Sequence, residues 1–200
     1  PIDPVRFIAN TSSGKQGHAI AAALARAGAQ TTLISGPTEL PDPDGVTVRR
    51  VRTAREMLAA AQGALPADIA VCAAAVADWR VADPHPTKIK KGGAAPVLKL
   101  VENPDILATL AAPGPDRPGL VVGFAAETES DPDALVAIAA EKRLAKACDW
   151  IIANDVTPGT GTFGGDHNSV HLVTQPGAES WGPLEKVQVA ERLVARIASH

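Results

Sequence analysis

The sequence predicts an α/β protein with a doubly wound, mostly parallel sheet, and three observations support this prediction. The 200 residues, 46% of them hydrophobic, are enough to bury one sizeable core. Short apolar runs typical of strands alternate along the chain with longer segments of helical periodicity. The run over 68–75 is almost continuously apolar, which is typical of a central parallel strand buried on both faces.

Cap and turn residues delimit the elements in the first half of the chain. The predicted order is a helix over 14–28, strands over 31–35 and 46–51, a helix over 53–64 and the buried strand over 68–75. Gly28 follows the first helix and is a typical helix stop. Thr53 and Glu56 have the spacing of a capping box, which fixes the start of the second helix.

Neither the helical nor the strand periodicity of apolar residues extends over 81–102, a segment that we call the arm. It contains Pro84 and Pro86, the basic run Lys88-Ile89-Lys90-Lys91, a pair of glycines and the strand-like stretch 97–100. Prolines and glycines interrupt regular elements. We therefore expect the arm to be a flap outside the main sheet.

The alternation of helices and strands resumes after the arm. The predicted order is a helix that begins at Asn103 with Pro104 in its first turn, a strand over 120–124, a helix over 131–147 capped by Asp131, a strand over 150–153, a glycine-rich loop over 157–166, a last strand over 169–174 and a helix over 183–198. The loop contains Gly-x-Gly-x-x-Gly over 159–164, but a strand follows it rather than the helix of a dinucleotide-binding turn. We expect a mobile loop that borders a site.

Composition argues against several classes of protein. A formal net charge of -3 gives no broad basic surface for nucleic acid, and aromatic residues, at 3%, are too few for a base-stacking platform. No run of about 18 apolar residues suggests a membrane span. Cys72 and Cys148 are isolated, so we expect reduced thiols in a cytoplasmic protein rather than a disulfide or metal pair.

The loop that precedes the first helix is the best candidate site. Asn10 is followed by Ser12, Ser13, Gly14 and Lys15 at the predicted helix start. Unpaired amides and the positive end of the helix dipole favour a phosphate there, and the Asn10 amide can hold an acyl or phosphoryl oxygen. The alternative is a simple N-cap. The loop is neither a Walker A sequence nor a dinucleotide fingerprint.

Three further charged features each have two interpretations. Asp78 follows the buried strand, where it can bind a nucleotide or Mg2+, or cap a turn. The lysines of the arm can neutralise a triphosphate or form a solvated edge. Lys142 and Lys146 are one helical turn apart, so they can contact one anion or mark a solvated helix face.

Taken together, the motifs resemble those of bacterial phosphopantothenoylcysteine synthetase. In this sequence they are Ile2-Asp3-Pro4-Val5-Arg6, Asn10, Ser12-Ser13-Gly14-Lys15, Ala73-Ala74-Ala75-Val76-Ala77-Asp78-Trp79-Arg80, Lys88-Ile89-Lys90-Lys91, Asn103-Pro104-Asp105-Ile106-Leu107, Gly123-Phe124-Ala125-Ala126-Glu127-Thr128 and Asn154-Asp155-Val156. They span nearly the whole chain in the family's order. The resemblance implies a Rossmann-like fold.

The resemblance also implies a two-step ligase with CTP as co-substrate and Mg2+ as cofactor. The carboxylate of 4′-phosphopantothenate attacks the α-phosphate of CTP, which gives an acyl-cytidylate and pyrophosphate. The amine of cysteine then attacks the activated acyl carbon, which gives the amide and CMP. The product, 4′-phosphopantothenoylcysteine, belongs to coenzyme A biosynthesis.

Site residues follow from the resemblance position by position. Asn10 matches the residue that acts on the acyl-cytidylate, Arg6 and Ala75 match positions needed for its conversion, and Lys88 matches the lysine needed to form it. The phosphopantothenate positions are Asn10, Ser12, Ser13 and Gly14. The nucleotide-binding positions are Cys72, Ala73, Ala74, Asp78, Lys88, Pro104, Asp105, Ile106, Leu107, Phe124, Lys142 and Lys146. Thr11 departs from the larger, often basic residue that the family carries.

The resemblance implies a homodimer in which the arm contributes to the interface. It further implies that 1–200 is a single ligase domain that lacks the family's first strand. This domain would follow a decarboxylase domain, and fusion to that domain would give a higher assembly. Two alternatives remain on sequence grounds: an NAD(P)-binding oxidoreductase and a non-catalytic nucleotide-binding domain. An oxidoreductase needs a Gly-x-Gly-x-x-Gly turn that opens a helix, and the sequence has none in that context.

Overall fold

A computed structural model of the protein describes residues 1–92, 95–159 and 164–200. In these ranges the helices are α1 Lys15–Arg26, α2 Ala54–Gln62, α3 Ile106–Ala111, α4 Pro132–Ala145 and α5 Lys186–Ala198. The strands are β1 Thr31–Ser35, β2 Val46–Arg50, β3 Ile69–Cys72, β4 Trp79–Val81, β5 Leu100–Glu102, β6 Leu120–Glu127, β7 Trp150–Asp155, β8 His167–Val173 and β9 Ala178–Glu185. The predicted α/β class is confirmed.

The main sheet has five strands in the order β3-β6-β7-β8-β9. β3, β6 and β7 are parallel, β8 is antiparallel to β7, and β9 is antiparallel to β8. Four of the five strands therefore point in one direction, as the sequence predicts. Cys72 pairs with Gly123 and Phe124 pairs with Ile152, so the carboxyl ends of β3, β6 and β7 lie at one edge of the sheet.

Side chains along β6 and β7 point alternately to the two faces of the sheet and divide the core into two layers. Val122 and Ile152 pack in one cluster with apolar side chains of α1 and α5. Val121 and Ile151, one position earlier on each strand, pack in a second cluster with α3 and α4. Successive side chains of a strand point to opposite faces, so the two central strands are buried on both sides by helices.

The prediction that 68–75 forms a central strand is wrong in position. β3 comprises only Ile69–Cys72 and lies at the edge of the main sheet, and all four of its residues are only half-buried. β1 and β2 form a separate parallel pair. Within the described ranges neither β1 nor β3 pairs with a further strand, so β3 keeps an exposed edge despite its apolar sequence.

Two element boundaries also differ from the sequence prediction. The N-cap of α3 is Asp105, whose carboxylate accepts a hydrogen bond from the Ala108 amide, so Pro104 precedes the helix. The chain also contains β9, where the sequence predicts a helix from 183 onwards. β9 pairs with β8, and the chain enters α5 only at Lys186. The capping box of Thr53 and the Asp131 cap are confirmed.

The arm lies outside the main sheet, as predicted. Only its two ends are regular: β4 and β5 pair as a two-stranded antiparallel sheet. Between them the Ala82 amide donates to the Lys99 carbonyl at 2.9 Å. Gly93 and Ala94, within the arm, lie outside the described residues, as do 160–163 of the predicted glycine-rich loop.

Candidate functional site

The loop that follows β3 meets the segment that precedes α1. The side-chain amide Nδ2 of Asn10 donates to the carbonyl of Val76 at 3.0 Å. Val76 follows Ala75 in the loop at the carboxyl end of β3, which is the edge where open α/β sheets bind ligands. The structure therefore brings Asn10 and the Ala75 loop together, although the two are 65 residues apart in the chain.

The serines before α1 contact its first amides. Ser12 Oγ accepts from the Gly14 amide at 3.3 Å, and Ser13 Oγ accepts from the Lys15 amide at 3.4 Å. Gly14 is in the left-handed region, with φ 73°, and a Cβ there would lie 2.6 Å from Cγ2 of Thr38. Glycine is therefore required at this turn. The turn leads into a 12-residue helix, which begins five residues after Asn10.

A second group of predicted residues surrounds the start of α3. The Lys146 ammonium forms an ion pair with Asp105, and Lys142 Nζ lies 3.0 Å from Oε1 of Glu127. Partial burial alone would raise the pKa of Asp105. The hydrogen bonds from Lys146 and the Ala108 amide, with the positive charge of Lys142, hold that pKa below its ordinary value instead. Both lysines thus act on one carboxylate.

The thiol of Cys72 lies close to this charged group. Burial, followed by the smaller effects of the neighbouring Cys148 and the Asp105 carboxylate, raises the pKa of the Cys72 thiol to about 12. Cys72 is therefore a neutral thiol near pH 7, which suits a wall residue rather than a nucleophile. Both cysteines are free, as the sequence predicts.

Leu107 of α3 packs directly on the main sheet. A Cβ at Gly123 would lie 2.5 Å from Cδ2 of Leu107 and 2.9 Å from Cδ1 of Ile151, so only glycine allows α3 this close. Phe124, the next residue of β6, is half-buried and packs against the cluster of α1 and α5. The structure thus places Leu107 and Phe124 on opposite faces of the same strand.

Asp78 lies where the loop after β3 enters the arm. Its carbonyl accepts from the Asn103 amide at 2.8 Å, and Asn103 Nδ2 donates to the Ala77 carbonyl, also at 2.8 Å. The Asp78 side chain is exposed. A cleft of about 560 Å³ opens beside Asn103, and its walls come from α2 and the ends of the arm. The cleft is lined by Arg55, Leu58, Ala59, Gln62, Arg80, Glu102, Asn103 and Pro104.

A buried carboxylate joins the first residues of the chain to the arm. Asp3 is 2% exposed and pairs with the Arg6 guanidinium, and its Oδ2 accepts from the Ile89 amide at 3.1 Å. Arg6 Nη2 also donates to the Ile89 carbonyl at 2.9 Å. Lys88, next to Ile89, is exposed. Arg6 thus holds the part of the arm that carries Lys88.

Arg6 dominates the titration of Asp3. The hydrogen bond from its guanidinium, assisted by the Val5 and Ile89 amides, outweighs the effect of burial and holds the pKa of Asp3 well below its usual range. The sequence predicts a site role for Arg6, whereas Asp3, Asn103 and Glu127 lie in the matching motifs without a predicted site role. The spacing of Asp3 and Arg6 was the available signal, because a carboxylate three residues before an arginine can pair with it within one turn.

No group of three or more His, Cys, Asp or Glu residues in the described ranges is arranged to hold a metal ion. Within the same ranges, no helix is long and apolar enough to cross a membrane.

Residues 1–200 match the family described as the DNA/pantothenate metabolism flavoprotein C-terminal domain. The chain belongs to this family. It is 46% identical over 198 residues to the coenzyme A biosynthesis bifunctional protein CoaBC of Escherichia coli K12, an alignment that covers 97% of this chain and 47% of that protein. The chain thus spans about half the length of the curated relatives it matches.

Solved structures of the family have the same fold. The crystal structure of the C-terminal domain of a CoaBC protein matches with a TM-score of 0.77 at 35% identity, over 98% of this chain and 87% of that one. The DNA/pantothenate metabolism flavoprotein from Streptococcus pneumoniae matches with a TM-score of 0.82 at 23% identity, over 100% of this chain and 94% of that one. Structural similarity to the family therefore extends over the whole chain.

Asp3→Asn should loosen the junction between the first residues and the arm. The neutral amide pairs less strongly with Arg6, so the backbone amides of Arg6 and Ile89 should exchange with solvent about tenfold faster at pH 7. Hydrogen exchange measured by NMR tests this. Asp42→Asn, which breaks an exposed ion pair with Arg50, is the control and should leave both amides unchanged.

The effect of Asp3→Asn should also depend on pH. The pKa of Asp3 is lowered on folding, so the carboxylate stabilises the native state fully at pH values above about 4. That contribution falls as the pH drops from about 4 toward the lowered native pKa. The difference between the urea midpoints of the native protein and the variant should therefore be smaller at pH 3 than at pH 7. A difference that grows on acidification would contradict the proposed state of Asp3.

Proposed function

We propose that this chain ligates 4′-phosphopantothenate to cysteine in a CTP-dependent reaction of coenzyme A biosynthesis. The observation that carries the proposal is the hydrogen bond between Asn10 and the loop after β3, at the carboxyl edge of the sheet, in a member of this family. That bond joins the two segments whose motifs match the synthetase. The relatives named above act in coenzyme A biosynthesis, which supports the same assignment.

The proposed reaction has two balanced steps. A carboxylate oxygen of phosphopantothenate forms a bond to the α-phosphorus of CTP, and pyrophosphate leaves. The amine nitrogen of cysteine then bonds to the acyl carbon of this mixed anhydride, loses a proton and displaces CMP. Activation is needed because an amine and a free carboxylate form only a salt at neutral pH, whereas the cytidylate is a good leaving group.

Asn10 is the proposed contact to the activated acyl group. One amide hydrogen of Nδ2 is directed to the Val76 carbonyl, which orients the side chain and leaves the second hydrogen for an acyl or phosphoryl oxygen. An oriented neutral donor stabilises developing negative charge without reorganisation. Arg6 and Ala75 flank this position: Arg6 acts through the arm, and Ala75 precedes Val76 in the loop.

The nucleotide is proposed to bind around the end of β3 and the start of α3. Cys72, Ala73 and Ala74 supply the wall, Asp78 lies at the entrance to the arm, and Pro104 to Leu107 contact the base and ribose. Phe124 lies on the other face of β6 and is proposed to support the nucleotide site from behind. The ion pairs of Lys142 and Lys146 support a site for phosphate oxygens, because a bound triphosphate can replace Glu127 and Asp105 as their partner. Lys88 is proposed to reach the leaving pyrophosphate from the arm.

Mg2+ fits this arrangement as an ion carried by the nucleotide. Magnesium in nucleotide enzymes binds mainly through phosphate oxygens and water, with one or two carboxylates. The lack of a three-residue cluster within the described ranges agrees with that mode, and Asp78 is the exposed carboxylate beside the loop. The ion would neutralise charge on the triphosphate.

The phosphate of phosphopantothenate is proposed to bind at Ser12, Ser13 and Gly14. The hydroxyls of the two serines accept from the Gly14 and Lys15 amides, and a bound phosphate can replace them as the acceptor. The positive end of the helix dipole favours a doubly charged phosphate there. The acyl end of the same substrate would then extend to the Asn10 side chain.

Release of pyrophosphate tests the function directly. We expect the protein with Mg2+ to release pyrophosphate from CTP only when phosphopantothenate is present, and to form the amide only when cysteine is added. ATP, GTP and UTP are compared under the same conditions. Absence of release with all four nucleotides would overturn the proposal, as would tight NADH binding without any thermal shift from CTP.

Asn10→Asp should separate the two steps. A carboxylate at this position repels the anionic acyl-cytidylate, so pyrophosphate should still be released while amide synthesis falls by at least about 100-fold. Single-turnover assays with labelled CTP would show the intermediate accumulating. Amide formation at the native rate would remove Asn10 from the mechanism.

Lys88→Gln is the complementary variant. Loss of the ammonium leaves charge on the departing phosphates unneutralised, so pyrophosphate release itself should fall by about 100-fold. Lys99→Gln, at the far end of the arm, is the matched control and should retain release. Equal rates for Lys88→Gln and the control would show that Lys88 only forms a solvated edge.

A homodimer is proposed from the apolar surface shared by the first residues and the arm. Val5, Phe7 and Val97 are 59%, 64% and 97% exposed, and the Arg6 contact with Ile89 places these two segments side by side. Exposed apolar patches of this kind mark association surfaces.

Phe7→Ser with Val97→Ser should shift the protein from dimer to monomer in sedimentation velocity, whereas Leu144→Ser on α4 should not. A native protein that sediments as a monomer at micromolar concentration would overturn this.

We further propose that 1–200 is one ligase domain whose sheet accepts an additional strand between β1 and β3. Both strands belong to parallel pairs, and neither has a second partner in the described ranges. A decarboxylase domain fused ahead of the ligase would match the bifunctional relatives. The free Cys72 and Cys148 fit a reducing cytoplasm.

A further inference from the structure

Two lysines from neighbouring helices bind the same short turn. Lys15, the first residue of α1, places its ammonium 2.6 Å from Oδ1 of Asp166 and 3.1 Å from the Gly164 carbonyl. Lys186, the first residue of α5, places its ammonium 2.6 Å from the Gly165 carbonyl. The turn 164–166 is therefore held by both helix starts, and the Lys186 amide also donates to the Asp166 carbonyl at 2.8 Å.

The placement of Lys186 is electrostatically costly. Its side chain is almost fully buried, at 8% exposure, and it lies at the positive end of the α5 dipole. Burial and the nearby Lys15 ammonium lower the pKa of Lys186, and the Asp166 carboxylate opposes this. A buried ammonium beside a second ammonium persists only where carbonyl and carboxylate oxygens compensate for lost hydration.

This group of charges lies against the start of α1. The Gln16 side-chain amide donates to the Lys186 carbonyl at 3.0 Å, and the Lys15 amide donates to Ser13. Two ammonium groups meet the Asp166 turn here, and the Glu185 carboxylate caps the start of α5. The cations are thus matched by nearby carboxylates at the point where the two helices begin.

We infer that Lys186 is a positioning residue for phosphopantothenate: it fixes the turn 164–166, and the turn in turn orients the Lys15 ammonium at the start of α1. The inference rests on the proposed function, because the ligand at this helix start is the substrate phosphate. Asp166 is the connecting group, since it accepts from Lys15 through its side chain and from Lys186 through its backbone. Lys15 then holds a fixed positive charge on the first residue of α1, directly after the Ser12-Ser13-Gly14 turn in the chain.

Lys186→Met tests this role, because methionine has a similar length and no charge. Titration calorimetry of the full chain should show about a tenfold weaker affinity for phosphopantothenate. The KM for CTP should stay within about twofold of the native value, because the change lies outside the nucleotide group. Pantothenate, which lacks the phosphate, is the ligand control and should bind equally to both proteins. Lys186→Arg should recover most of the affinity.

Arg26→Met is the matched protein control. It removes a cation from the same pair of helices, where Arg26 forms an exposed ion pair with Glu191 at 3.5 Å. This variant should bind phosphopantothenate as the native protein does. Unchanged affinity in folded Lys186→Met, with or without a lower Tm, would overturn the inference.

Three further outcomes have defined meanings. Should Lys186→Met fail to fold, Lys15→Met removes the other ammonium from a partly exposed position, and unchanged affinity for phosphopantothenate there overturns the inference equally. Failure of the native protein to bind phosphopantothenate overturns the proposed function and the inference with it. Native binding combined with an unaffected Lys186→Met variant overturns the inference alone.

Discussion

The common direction of β3, β6 and β7 is the constraint on which the rest of this structure depends. Parallel strands need a crossover between them, so each one returns its next loop to the same edge. The two-layer core around β6 and β7 fixes that edge, because helices cover both faces of the central strands. Groups that are far apart in the chain, such as Asn10 and Val76, can then meet across it.

Sequence reasoning predicted the elements that carry local signals and missed those that depend on distant partners. The capping box at Thr53 and the cap at Asp131 were predicted correctly because each is complete within a few residues. β9 was missed because Gly182 and Pro183 oppose a strand locally, and only pairing with β8 makes one. Within the candidate site, the approach of Asn10 to the Ala75 loop agrees with the resemblance, but no local pattern indicates the burial of Asp3 or Lys186.

The cations around the site are largely occupied by protein groups. Lys15, Lys142 and Lys146 each contact a carboxylate, and Arg6 is bound to Asp3. These ion pairs limit the repulsion among the positive side chains. Without them, a bound phosphorylated substrate and triphosphate would be needed to neutralise that charge. Ligand binding of the proposed kind would therefore exchange partners among charges that are already arranged, which lowers the cost of reorganisation.

The absence of a side chain at Gly123 has a consequence for how the candidate site could be altered. A larger residue there would meet the side-chain ends of Leu107 and Ile151, so Leu107 would have to shift at the start of the helix that Asp105 caps. The position of a charged pair is thus coupled to an uncharged residue of the neighbouring strand. Substitution at 123 offers a way to retune one half of the site while every polar group in it stays chemically intact.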